Sequence, residues 1–236
     1  MGIQLEQRSR HLLLVGSRKG EKNMKPNDWL SREQARRDSF KLLSECYYPP
    51  DEELGQKLKV LEPQMAVTCE EAVQYLHKMA EALESKDVLG SLAIEYAKLF
   101  VGPYKLLAPP YGSVYLEGER KVMGDSTLDA RDRYHEAGVD ISEGFHEVPD
   151  HIAAELEFMY FLIFKEIDAM VNGDTDGAVG QLNRQKAFLQ LHLGAWVPAF
   201  AQHVEENAED EFYKDLARCT SVFVKKDLEE SLAIDG

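Results

Sequence analysis

The chain has 236 residues, with 27 basic against 42 acidic side chains and a formal charge of −15. So acidic a balance disfavours a nucleic-acid partner, whose phosphates demand clustered Lys and Arg, and is compatible with a basic one steered inward by the summed field. No stretch approaches the roughly 20 apolar residues needed to span a bilayer.

A domain of this length buries roughly 70% of its unfolded surface and needs neither disulfide nor metal to fold. Its hydrophobic fraction of 44% is ordinary for a globular protein. Cys46, Cys69 and Cys219 are far apart and form no CxxC pair. That pattern argues against a disulfide framework, fits a reducing cytoplasm, and makes each a small core hydrophobe.

Residues 1–27 carry six basic and two acidic side chains, a net +4, which leaves −19 on the remainder. The shift marks residues 1–27 as an extension and 28–236 as a single all-α domain. Its apolar run Leu12–Val15 follows Arg8 and Arg10 but is too short for a secretory leader, and Arg18, Lys19 and Lys22 follow it. Met24 is a candidate physiological start.

From Asp28 onward the patterning is helical. Segment 28–47, capped at Asn27 or Asp28, places Trp29, Ala35, Phe40, Leu43 and Tyr47 near helical spacing until Pro49-Pro50 stops it. Segment 51–61 is short and is expected to end before Pro63. Segment 69–85 follows Thr68, with Glu71 in capping-box position, and puts Ala72, Val73, Leu76, Met79, Ala80 and Leu83 on one face. Segment 87–100 ends at Gly102-Pro103.

Residues 101–114 hold three prolines and two glycines, so they read as one long, functional loop. The run Ser113-Val114-Tyr115-Leu116 is β-like but too brief to imply a sheet. Helix resumes over 126–137, a second loop spans 139–149, and Ile152, Leu156, Met159 and Ile163 mark a long helix near 150–171. Pro149 suits the first turn of that helix and Asp150 its dipole. Segments 175–193, 195–207 and 209–233 complete the bundle.

Glu143, His146, Glu147, Asp150, His151 and Glu155 form the densest grouping of metal-capable side chains. A di-iron carboxylate bundle requires two Glu-x-x-His pairs on separate helices, and Glu143–His146 is the only one, interrupted by Gly144. A metalloenzyme built on His151 and Glu155 is therefore the minority reading, and no metal is expected. No Gly-x-Ser-x-Gly elbow, Walker loop or Gly-x-Gly-x-x-Gly is present, so neither catalysis nor a cofactor is expected. His77, His192 and His203 read as core or surface residues, and Trp196 with Phe200 as packing.

Two stretches carry a family resemblance. Glu95-Tyr-Ala-Lys-Leu-Phe-Val-Gly-Pro-Tyr104 followed by Ala108-Pro-Pro-Tyr-Gly-Ser-Val-Tyr115 resembles the "LFxGP…PPYxSVY" signature of the TorD/DmsD/NarJ redox-enzyme maturation chaperones. Glu147-Val-Pro-Asp-His151 with Glu155-Leu-Glu-Phe-Met159 resembles their "ExPDHxxxELxFM" motif. The likeness extends over roughly 30–232, and Pro149-Asp150-His151 favours the TorD/DmsD branch over the NarJ-like assembly factors.

The resemblance implies an all-helical chaperone that binds the twin-arginine leader or apoprotein of a molybdopterin oxidoreductase and delays its export until the cofactor is inserted. It implies a peptide-binding surface of Leu99, Phe100, Gly102, Tyr104, Pro110, Tyr111, Glu147, Pro149, Asp150 and His151. Some relatives have Trp at Tyr104 or Tyr111. Carboxylates such as Glu147 and Asp150 suit bidentate bonding by Arg, and the aromatic loop suits the apolar part of a leader. Relatives occur as monomers and domain-swapped dimers, and a hinge in 139–149 would permit such exchange.

Overall fold

The computed structural model describes residues 26–85, 87–102, 106–117, 122–140 and 147–233. Among them the chain is helical, and the only β pairing is a single bridge between Tyr111 and His151. The extension 1–25, including the candidate start at Met24, lies outside the described residues.

Helix α1 runs Pro26–Glu45. It starts slightly before the expected cap, because proline at the first helical position has no N–H left to satisfy. Asn27 and Asp28 thus fall inside its first turn, where the Asp28 carboxylate complements the helix dipole. Trp29, Ala35, Phe40, Leu43 and Tyr47 are all buried, as the spacing predicts.

Helix α2, Leu54–Thr68, corrects the expectation that Pro63 ends this segment. Pro63 is exposed, as is Lys59, whose carbonyl loses its i+4 donor to the proline on this solvent-exposed side of the helix. Leu58, Leu61 and Met65 anchor the opposite face in the core, so the helix continues past the break. Helix α3, Glu70–Ala82, follows without the expected capping box. The Thr68 hydroxyl donates back to the Gln64 carbonyl at 3.0 Å, and Cys69 takes the cap position with no side-chain hydrogen bond. Ala80 is exposed rather than part of the buried face.

Helix α4, Val88–Tyr96, passes into a π-turn at Ala97–Val101. Gly102 closes that turn at φ 45°, a conformation that favours glycine. The expected loop 101–114 ends early, because Gly112–Leu116 forms a short helix, α5. The β-like run is therefore helical.

Helices α6 (Asp125–Glu136), α7 (Ile152–Asn172), α8 (Thr175–Leu191), α9 (Leu193–Asn207) and α10 (Glu211–Leu232) complete the described chain. In α7, Ile152, Leu156, Met159 and Ile163 are fully buried. Asp174 and Asp210 cap α8 and α10 by accepting the Gly177 and Phe212 N–H groups. Helix α1 packs between α2 and α7, while α10 packs against α3 and α9. Phe40 of α1 meets Phe223 of α10 with ring centroids 4.7 Å apart.

One polar network lies inside this packing. Arg36 of α1, 1% exposed, reaches Glu33 at 3.2 Å, Asp227 of α10 at 3.5 Å and Gln185 of α8. Gln185 donates in turn to Glu166 of α7 at 2.8 Å. A buried guanidinium is tolerable only with such pairing, and here the pairing ties four helices together. All three cysteines are buried and free, and burial pushes the Cys46 thiol up to about 12. No described helix is long and apolar enough to cross a membrane.

Candidate functional site

The two sequence motifs meet where the chain enters α5 and α7. The Gly112 N–H donates to the Asp150 carbonyl and the Ile152 N–H to the Pro110 carbonyl, each at 2.9 Å. This two-bond bridge fixes Tyr111 beside His151, with ring centroids 5.5 Å apart. The Tyr134 hydroxyl of α6 donates to the Pro149 carbonyl at 2.8 Å, which holds the same turn from the other side.

The structure changes what Asp150 and Pro149 do. Helix α7 starts at Ile152, not at Pro149, and His151 is its cap, with Nδ1 accepting the Ala153 N–H at 3.1 Å. Asp150 lies outside that helix, fully buried, and its Oδ2 accepts the Ser113 N–H at 2.7 Å. Its negative charge therefore serves the first turn of α5, not the dipole of α7. Burial lowers the His151 pKa to about 4, although Glu147 and Asp150 pull upward. The ring is neutral near pH 7, and since Nδ1 accepts, its proton resides on Nε2.

The outward-facing carboxylate is Glu147. It is exposed, and its Oε2 accepts the Tyr111 hydroxyl at 2.6 Å. Burial and this carboxylate together raise the Tyr111 phenol well above its ordinary value. The same carboxylate acts on two tyrosines that the motifs do not contain. Tyr96 is raised to about 12 by burial and by Glu147, and Tyr48 is raised by burial, Glu157, Glu45 and Glu147. Tyr111 hydrogen-bonds Glu147 directly, whereas the Tyr96 hydroxyl donates to the Tyr47 carbonyl at 3.2 Å and Lys41 satisfies part of Glu157 at 2.6 Å.

Of the sequence candidates, Glu147 is exposed, and Gly102, Tyr111 and Pro149 are half-buried. Leu99, Phe100, Pro110, Asp150 and His151 are buried. Tyr104 lies outside the described residues. Phe100 packs among Tyr47, Tyr96, Phe200 and Tyr213 at centroid distances of 5.3–6.3 Å, so it supports the surface from below. The Ala108 N–H donates to the Leu99 carbonyl at 3.0 Å, which ties the strand-like approach to the π-turn. Tyr48 and Tyr96 had no sequence signal beyond their aromaticity, because the fold alone brings them to Glu147.

A second buried layer braces the bridge. Trp196 of α9 donates its indole N–H to Glu155 at 2.8 Å, and His192 contacts Glu155 at 3.4 Å and Asp129 of α6 at 2.6 Å. Burial raises the Glu155 pKa. Burial opposes the charged form of His192, but Glu155 and Asp129 outweigh it and raise its pKa. A Cβ on Gly112 would lie 3.0 Å from the Trp196 indole nitrogen, so glycine lets α5 approach this layer. Glu143 and His146 of the metal-capable grouping lie outside the described residues. Among those described, no three His, Cys, Asp or Glu side chains are arranged to hold a metal ion.

Fold and site together define an all-α bundle that presents an acidic, tyrosine-lined surface where two motifs cross. Residues 62–202 match the family model described as "Nitrate reductase delta subunit", and the chain belongs to that family. This bears out the resemblance to the TorD/DmsD/NarJ chaperones. The chain is 28% identical over 145 residues to the chaperone protein TorD of Vibrio parahaemolyticus, covering 61% of this chain and 66% of that one. It is 31% identical over 128 residues to the Tat proofreading chaperone DmsD of Salmonella typhi, covering 54% and 56%. The chain thus spans just under two thirds, or less, of these relatives' lengths. A crystal structure of a protein assigned to redox enzyme maturation in Archaeoglobus fulgidus superposes with a TM-score of 0.50 at 26% identity, covering 80% of this chain and 93% of that one.

Proposed function

We propose that this chain is a cytoplasmic maturation chaperone that performs no catalysis. It binds the twin-arginine leader, and with it the apoprotein, of a molybdopterin oxidoreductase catalytic subunit. Export is delayed until the cofactor is in place. Residues 28–236 act as the chaperone domain, as a monomer or as a domain-swapped dimer.

The observation that carries this reading is the exposed Glu147 carboxylate, which accepts the Tyr111 hydroxyl at 2.6 Å where the two motifs meet. A guanidinium takes two hydrogen bonds from one carboxylate and stacks on tyrosine faces, which an ammonium does less well. The names of the TorD and DmsD relatives support the same assignment.

A second reading is favoured by the name of the matched family model. In it the chain is an assembly factor for a membrane-associated molybdoenzyme and grips the apoenzyme, not an exported leader. One experiment separates the two. Tagged protein is recovered from an anaerobically grown native host and its partners are identified by mass spectrometry. Enrichment of one molybdoenzyme catalytic subunit still carrying its leader supports the first reading. Enrichment of a leaderless subunit supports the second, and recovery of neither from a lysate containing both overturns the proposal.

A further inference from the structure

The chain carries, in its own first residues, a segment of the chemistry that the proposed site recognises. Arg8 and Arg10, one residue apart, precede the apolar run Leu12-Leu13-Leu14-Val15. Two guanidinium groups followed by an aliphatic stretch are what a carboxylate among tyrosines is suited to hold. The segment is also oppositely charged to the rest of the molecule, at +4 for residues 1–27 against −19 for the remainder.

The reach is sufficient. Helix α1 starts at Pro26, and near this end Arg32 pairs with Glu230 at 2.6 Å. Toward its other end Lys41 pairs at 2.6 Å with Glu157, near the start of α7, the helix that Glu147 precedes. The 20 residues of α1 separate the two ends by about 30 Å. A chain from position 26 back to Arg10 spans up to about 55 Å when extended.

We propose that residues 8–15 act as an intramolecular pseudo-leader, docking at the exposed Glu147 carboxylate and its Tyr111 partner and competing with the client. This rests on the leader-binding reading above. Tethering gives the segment an effective concentration on the order of 1 mM. With an intrinsic Kd of about 100 µM for the segment, client affinity falls about tenfold. A chaperone so built ignores weak cationic peptides and opens only for a leader that outcompetes its own tail.

The test uses the full chain and a fluorescein-labelled synthetic peptide in which two adjacent arginines precede ten Leu and Ala residues. Binding is read by anisotropy. The double variant Arg8→Ser/Arg10→Ser is expected to bind about tenfold tighter than the unaltered chain. Arg18→Ser/Lys19→Ser, which removes the same charge elsewhere in the segment, is expected to bind as the unaltered chain does. A synthetic peptide of residues 1–20 is expected to displace the label from the Arg8→Ser/Arg10→Ser chain. Equal affinity of the unaltered and Arg8→Ser/Arg10→Ser chains overturns the pseudo-leader and leaves leader binding intact. An equal gain in the Arg18→Ser/Lys19→Ser chain reduces the effect to net charge and also overturns it. Inhibition that grows with protein concentration places the segment on a second copy and overturns the intramolecular form. Absence of binding by every chain overturns the leader-binding reading itself.

Discussion

Asp150 and Ser113 are joined by a buried hydrogen bond, the Ser113 N–H donating to Oδ2 at 2.7 Å, 37 positions apart in sequence. The acidic residue of the Pro-Asp-His motif therefore faces the protein, where it holds the start of α5 against the turn before α7. Its other oxygen, Oδ1, is buried and has no hydrogen-bond partner among the described residues.

This geometry separates two substitutions. Asp150→Ala leaves the Ser113 N–H unsatisfied in the interior and is expected to destabilise the fold by about 1–3 kcal/mol. Asp150→Asn keeps an acceptor for that N–H and removes a buried charge, so it is expected to cost under about 1 kcal/mol. Urea denaturation of the three proteins checks the order. Equal losses for Ala and Asn would remove the hydrogen bond as the cause.

Glu147 is predicted to behave in the opposite way. It is exposed, and among the described residues it accepts a hydrogen bond from Tyr111, so Glu147→Ala is expected to leave stability within about 0.5 kcal/mol. Its loss removes the exposed carboxylate that accepts the Tyr111 hydroxyl, and twin-arginine peptide affinity is expected to fall about tenfold or more, in line with charge-assisted bonds. Calorimetry on Glu147→Ala, with a lysine-for-arginine peptide as control, measures both affinity and guanidinium preference. Unchanged affinity for the arginine peptide would move the site elsewhere.

The extent to which sequence revealed this architecture follows the range of the interactions. The α7 stripe Ile152, Leu156, Met159 and Ile163 was legible because four residues at helical spacing need only one helix to be buried. Pro63 misled, because its cost depends on which side of the helix loses the hydrogen bond, and here both Pro63 and Lys59 are exposed. The motifs identified the right turn, yet not which way Asp150 points, since its partner Ser113 is in another element. Tyr48 and Tyr96 joined the site with no motif to announce them, brought there by the packing of α1 and α4.

His151 sets a pH dependence with a definite sign. Its folded pKa is about 4 against an ordinary 6.5, so between these values the unfolded chain binds the extra proton. Stability is therefore lost as pH falls from about 6.5 to about 4, by at most about 1.4 kcal/mol per pH unit, and levels off below. His192 and Glu155, both raised, act in the opposite direction, so the term must be isolated by difference. His151→Asn keeps a helix-capping side chain and does not titrate. The stability difference between the two proteins is expected to slope across pH 4–6.5 and to be flat above pH 7.5. A difference that is flat throughout would mean that His151 is not held neutral by the fold.

Arg36 supplies the last prediction, on the bundle itself. Its guanidinium is the charge that Glu33 and Asp227 approach at 3.2 and 3.5 Å, and both carboxylates are buried. Arg36→Met fills a similar volume but removes the guanidinium that both carboxylates approach, leaving Glu33 to the more distant Arg32 at 3.9 Å, and is expected to cost about 3–5 kcal/mol. Replacing Arg36, Glu33 and Asp227 together with Met, Leu and Leu is expected to recover much of the loss, because burying a whole ion network is costly in itself. Chemical denaturation of the single and triple variants distinguishes an electrostatic cause from a packing one. If the triple variant is no more stable than Arg36→Met, packing of the arginine stem governs the site.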